Sequence, residues 1–132
     1  FNMKKYILFL FLVGSTISSF GQNSNTTKPE FKFKTEVINY GKIVKNSNGK
    51  RTFEFTNIGK SPLIISDIKT SCDCTVPKIP TAPIMPGEKG YITVSYDTYK
   101  LGGFSKQITI FSNAKSGRKI LRIKGFVVKK KY

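Results

Sequence analysis

The chain of 132 residues contains no histidine. That absence removes Ser-His-Asp and Cys-His arrangements, histidine-ligated metals and the commonest general base near neutral pH. Acidic residues are also few: the seven are Glu30, Glu36, Glu54, Asp67, Asp73, Glu88 and Asp97, scattered singly, so no pair suggests glycosidase chemistry. No phosphate-cradling glycine motif occurs, and Gly102-Gly103 reads more simply as a turn. No cofactor motif is visible and an enzyme is not expected. Helical periodicity is missing after residue 21, and after the first residues no apolar run is long enough to span a bilayer, so the chain is not expected to be transmembrane.

Positive charge and aromatic rings are present in quantity. The formal net charge is +16, and the 23 basic residues are nearly all lysine, with only Arg51, Arg118 and Arg122 as arginine. Arginine is the residue favoured for bidentate phosphate recognition, so nucleic acid is not the expected partner. Dispersed lysines make a solvated surface, which leaves an anionic glycan or lipid surface as a possible ligand of the whole face. Eleven Phe and six Tyr, with hydrophobic residues at 39%, supply one core of about the size of an immunoglobulin-like sandwich.

The beginning of the chain has the form of an export signal over residues 1–21. Met3-Lys4-Lys5 is a short basic region, Tyr6 to Val13 an apolar run too short to cross a bilayer, and Ser19-Phe20-Gly21 a small-x-small cleavage pattern. An exported location, periplasmic or extracellular, is expected. Residues 22–30 are polar and without period, which fits a flexible leader. The domain is expected over residues 31–128, with a basic tail at 129–132.

Within the domain the dominant signal is period two. Phe31, Phe33 and Thr35 alternate with Lys32, Lys34 and Glu36, and the pattern continues through Val37 to Ile43 with a bend or bulge at Gly41. Phe53 and Phe55 share one face of a strand over 51–56, and Leu63 to Ile68 is a branched run that suggests burial on both faces. Ile92, Val94 and Tyr96 fall together, as do Ile108 and Ile110, and Leu121 and Ile123 oppose Arg122 and Lys124. Asn46 to Gly49, Asn57 to Pro62, Pro86-Gly87 and Ser112 to Gly117 are turns, and Leu101 to Phe104 is a connection. About seven short strands predict an all-β immunoglobulin-like sandwich, with a small β-barrel as the alternative.

Between the two groups of strands lies the stretch from Thr70 to Gly87, an irregular crossing that holds both cysteines and Pro77, Pro80, Pro83 and Pro86. Side chains two apart on a strand point to opposite faces, so a Cys72–Cys74 disulfide requires a tight local bend. Four readings stay open at these positions: a partly buried thiol pair, a structural disulfide fixing the crossing, a redox pair, and bis-thiolate binding of Cu(I). Met85 is the one methionine outside the signal to support the last of these. No other metal or cofactor site is expected. Tyr96, Tyr99 and Phe104 read as core rings rather than a ligand-binding edge.

Several separate motifs, in order, carry a resemblance. They are Asn39-Tyr40-Gly41-Lys42-Ile43, Phe53-Glu54-Phe55-Thr56-Asn57-Ile58-Gly59, Pro62-Leu63-Ile64-Ile65, Ser71-Cys72-Asp73-Cys74-Thr75, Ile84-Met85-Pro86-Gly87-Glu88, Phe111-Ser112-Asn113 and Ile123-Lys124-Gly125-Phe126-Val127. Together they resemble domain-of-unknown-function family 1573, whose members are secreted bacterial domains, common among Bacteroidetes and similar in fold to Hydin-like and major-sperm-protein-like sandwiches. The resemblance implies fold and export, marks Gly41, Asn57, Gly59, Pro86, Gly87, Asn113 and Gly125 as motif residues, and brings no catalytic residue with it. Asp73 stands where the family usually has glycine, so a bend that only glycine allows is not expected between the cysteines. By analogy of fold, the implied role is a module that binds a protein or another component of the cell envelope.

Overall fold

The computed structural model describes residues 27–131; the expected export signal over 1–21, most of the expected leader and Tyr132 lie outside the described residues. Eight strands form: β1 (Phe31–Phe33), β2 (Val37–Val44), β3 (Lys50–Asn57), β4 (Ile65–Thr70), β5 (Thr75–Lys78), β6 (Lys89–Tyr96), β7 (Gly102–Ser112) and β8 (Arg118–Val128). They make two four-stranded sheets, in the orders β1-β3-β6-β5 and β2-β8-β7-β4. All pairings are antiparallel except β2 with β8. The architecture is an immunoglobulin-like sandwich and not a closed barrel.

The alternation read from the sequence builds the interior. Phe53, Phe55, Ile92 and Val94 on the first sheet are buried with Ile108, Ile110, Leu121 and Ile123 on the second, each at 1% exposure or less. Removing each from water contributes about 1.5–3 kcal/mol, and this paired inner surface is what holds the sheets face to face. Phe31, Phe33 and Phe55 form one ring cluster, with centroids 5.1–5.4 Å apart. Tyr40, Tyr96 and Phe104 form another, with Tyr96 stacked on Phe104 at 3.8 Å. Tyr99, expected in the core with them, is half exposed.

Four other expectations require correction. The crossing is not wholly irregular, because Thr75–Lys78 joins the edge of the first sheet with Pro77 opposite Val94. An edge strand has one side without ladder partners, and so tolerates a residue that lacks an N–H. Leu101 to Phe104 is not simply a connection, since β7 begins at Gly102 and pairs with Val127. Burial of Leu63 to Ile68 on both faces fails because β4 is an edge strand: Leu63 is fully buried, while Ile64 is half exposed. The leader is docked at its end, where Pro29 is buried, its carbonyl accepts from Lys115 N–H at 2.8 Å and the Glu30 carbonyl accepts from Ile58 N–H at 2.9 Å.

Candidate functional site

The cysteines occupy the turn that carries the chain from β4 at the edge of one sheet to β5 at the edge of the other. Ser71 ties this turn to β7 twice, its N–H donating to Gln107 O and its hydroxyl accepting from Gln107 N–H, each at 3.0 Å. Thr70 Oγ1 donates to Cys72 O at 2.9 Å, and Asp97 N–H donates to Cys74 O at 2.9 Å. Residues two apart in an extended strand are separated by about 6.8 Å. Here the Cα atoms are 5.3 Å apart and the two sulfurs are joined in a disulfide. Asn46 is the only non-glycine residue with positive φ among the described residues, so the bend at Asp73 needs no glycine. Cys74 packs against the core. Directly after it, Thr75 is buried and its hydroxyl has no hydrogen-bond partner among the described residues.

The motif asparagines form two backbone clamps at the opposite end of the sandwich. Asn57 is fully buried; its Oδ1 accepts from Gly59 N–H at 3.0 Å and Glu30 N–H at 3.3 Å, and its Nδ2 donates to Ser61 O at 2.8 Å and Ile84 O at 2.9 Å. Its own backbone holds the Pro86-Gly87 turn, with Gly87 N–H donating to Asn57 O at 2.8 Å. Asn113 does the same on the surface, accepting from Ile64 N–H at 2.8 Å and donating to Pro62 O at 3.0 Å. One side chain thus satisfies donors and acceptors that the irregular segments would otherwise leave open.

Two motif glycines have separate causes. Gly41, at φ +64°, sits in a bulge where the β2–β8 register shifts between Asn39 and Lys42. Gly125 lets β8 approach β2, because a Cβ there would lie 2.7 Å from Tyr40 Cβ and 2.9 Å from the Phe104 ring. Tyr40 donates its hydroxyl to Gly49 O at 2.7 Å beneath the Arg51 guanidinium, 4.3 Å from the ring centre. Burial pushes the Tyr40 phenol up to about 12, with Arg51 pulling the other way. All of these contacts are structural. Among the described residues no group of three Cys, Asp or Glu is placed to hold a metal.

Sequence reasoning missed Glu30, whose carboxylate accepts from Ser116 Oγ at 2.7 Å and Ser116 N–H at 3.0 Å. No local pattern could have paired residues so far apart. Sequence reasoning set Arg122 and Lys124 opposite the buried Leu121 and Ile123 but did not extend that side to Ile120 and Phe126 or to the strands beside β8, with which they form the outer face of the second sheet.

Fold and site together define an immunoglobulin-like domain with structural motifs and one disulfide turn. The chain belongs to the family described as "Protein of unknown function (DUF1573)", whose model matches residues 31–127. No curated protein sequence matches it. Among solved structures, it is similar to a protein of unknown function from Porphyromonas gingivalis W83, at 15% identity and TM-score 0.66 over 74% of this chain and 46% of that one. The chain therefore spans under half of that protein. Human CEP192 PapD-like domain 7 aligns at 5% identity and TM-score 0.66, covering 80% and 89% of the two chains. The CsuC–CsuE chaperone–tip adhesion subunit complex of Acinetobacter baumannii aligns at 16% identity and TM-score 0.54, covering 74% and 56%. At these identities the likeness is one of fold.

Proposed function

We propose that this chain is an exported, non-catalytic immunoglobulin-like module that binds a protein partner of the cell envelope along the β2 edge of its second sheet. The observation that carries this reading is the contrast among the four sheet edges. β1 has three residues, β5 has four including a proline, and β4 has six with a shift in register. β2 is the longest with eight; it too shifts register, at the Gly41 bulge, and Val37 and Val44 are exposed at its two ends. A long open edge offers unpaired backbone groups to an added strand, a recurring way for a sheet to take a peptide. The fold is shared with a chaperone solved in complex with an adhesin subunit, which supports a protein partner. Among the described residues no helix is long and apolar enough to cross a membrane.

The test is site-specific photo-crosslinking in the native host, with the reactive residue placed at Val37, Val44, Ser66 or Tyr91 and the mature N-terminus checked at Gln22. Adducts of one discrete mass from Val37 and Val44 are expected. Adducts from Ser66 or Tyr91 alone overturn the edge assignment, and none from any position overturns the binding reading.

A second reading is favoured by the joined sulfurs: thiol–disulfide exchange at Cys72–Cys74 with an exported dithiol partner, in which that partner is oxidised as the turn is reduced to two thiols. In the reverse direction, the lone Cys72 thiol of a Cys74→Ser variant attacks the oxidised, disulfide form of that partner and releases one partner thiol. Trapping of this mixed disulfide is the expected result; its absence, with an unchanged phenotype in the double serine variant, refutes the exchange. Cu(I) binding requires the same reduction first, and Met85 lies in the turn closed by Glu88 rather than beside the cysteines.

A further inference from the structure

The two outer faces of the sandwich differ in how their charges are used. On the first sheet, Glu54 stands among the lysines and pairs with Lys89 at 3.4 Å and Lys34 at 3.9 Å. On the second, Lys42, Lys69, Arg118, Arg122 and Lys124 form no ion pair among the described residues. Two of the chain's three arginines are here, and Arg118 and Lys69 lie over the Phe111 ring at 5.5 and 5.6 Å. Such a face carries a net positive field over a firm aromatic base, offset at its β4 edge by Asp67, which lies opposite Phe111 and away from Lys42 and Lys124.

At one end of this face is a shallow open depression of about 610 Å³, lined by Asn39, Lys42, Gly103, Ser105, Lys124 and Phe126. It exists because of strand pairing. Lys124 sits between Asn39 on β2 and Ser105 on β7, while Phe126 sits between Lys42 and Gly103. Gly103 offers no side chain opposite Phe126, so the ring, half exposed, forms one wall. Each polar side chain has a proton to give. Asn39 Oδ1 accepts from Gly41 N–H at 2.9 Å, and its amide NH₂ adds two donors. Ser105 Oγ accepts from Arg122 Nη1 at 2.8 Å, which leaves its proton to give. The two ammonium groups donate only.

A wall of one aromatic ring beside two ammonium groups and two neutral side chains with protons to give favours a ligand that is rich in acceptors, negatively charged and flat on one face. The geometry points to an acidic sugar residue of an anionic polysaccharide. Its carboxylate is held by Lys42 and Lys124, its hydroxyl oxygens by Asn39 and Ser105, and one ring face by Phe126. A lipid surface fits less well, because Arg122 and Lys124 separate Ile120 from Phe126 along this face of β8 and leave no continuous apolar tip to enter a bilayer. Asn39 and Lys42 belong to β2, but this site uses the side chains on the sheet face and not the backbone groups of the β2 edge.

The test uses the purified exported chain and polygalacturonate, with neutral dextran and vesicles containing an anionic phospholipid as the other arms, measured by titration calorimetry at two salt concentrations. Binding to polygalacturonate and not to dextran is expected. The Lys42→Gln, Lys124→Gln pair is expected to weaken it at least about tenfold, since hydrogen bonds to charged groups are individually strong. The same charge removed from the other face, Lys32→Gln with Lys78→Gln, is expected to weaken it less than about threefold. Phe126→Ala, at a half-exposed ring, is expected to leave the melting temperature unchanged and lower affinity equally at both salts, where the lysine pair acts mainly at low salt. Equal losses from the two lysine pairs, equal binding of dextran, no binding, or binding of the vesicles alone overturns the proposal.

Discussion

Replacing Asn57 by alanine tests whether the motif asparagine is there for its backbone clamp. Four hydrogen bonds are lost at a fully buried side chain. At a net contribution of about 1 kcal/mol each, the loss is about 4 kcal/mol. Ile84 O retains a second donor, Leu63 N–H at 2.8 Å, so one of the four groups is not orphaned and about 3 kcal/mol is the better figure. For a domain of this size, each kcal/mol moves the midpoint by about 4–8 °C, which predicts a fall of about 12–24 °C in thermal unfolding followed by far-ultraviolet circular dichroism. Asn113→Ala is the internal comparison, because its two bonds are similar in length but exposed, so water replaces them at a cost of about 0.5–1 kcal/mol. Asn57→Asp sharpens the test: it keeps both acceptors but directs a carboxylate at the Ser61 and Ile84 carbonyls, which favours its protonated form in the fold. With that pKa raised above the unfolded value, the variant gains stability as the pH falls from neutrality toward the ordinary carboxylate range. A fall for Asn57→Ala no larger than that for Asn113→Ala, or an Asn57→Asp variant indifferent to pH, refutes the clamp.

Gly125→Ala places a Cβ against Tyr40 and the Phe104 ring and is expected to cost about 1–3 kcal/mol in urea unfolding, by separating β2 from β8; a neutral result shows that the strands yield there. Tyr40 holds its proton to about pH 12, whereas the unfolded chain releases it near 10. Between these pH values only the folded state keeps the proton, so stability falls with rising pH by roughly 2–3 kcal/mol, and Tyr40→Phe is expected to remove most of that slope in alkaline melts. The disulfide closes a ring of three residues, for which chain entropy gives about 1.6 kcal/mol. The Cys72→Ser, Cys74→Ser pair is therefore expected to fold with a modestly lower midpoint, and failure to fold shows that the turn depends on the bond for more than chain entropy.

The difference between what the sequence shows and what the fold adds is clearest on β8. Leu121 and Ile123 against Arg122 and Lys124 is a period of two, and a period of two states by itself which side is wet. The two-sheet sandwich follows from several such runs. Strand neighbours do not follow, because a parallel pairing between β2 and β8 leaves no local mark on either segment. Proline and glycine misled for a related reason: Pro77 and Gly102 are breakers in a central strand but acceptable at an edge or a strand end, and being at an edge is a property of the assembled sheet. The same limit applies to the Phe126 depression. Lys124 was legible as outward-facing, but its company is not local, since Asn39 and Lys42 come from the second strand of the domain and Ser105 from the seventh. A binding face assembled from strands at both ends of the chain appears only when pairing is known, whereas Cys72 and Cys74, two residues apart, are visible at once. The residues easiest to single out in such a sequence are therefore the local ones, and in this fold a surface able to select a ligand is made of residues that are not.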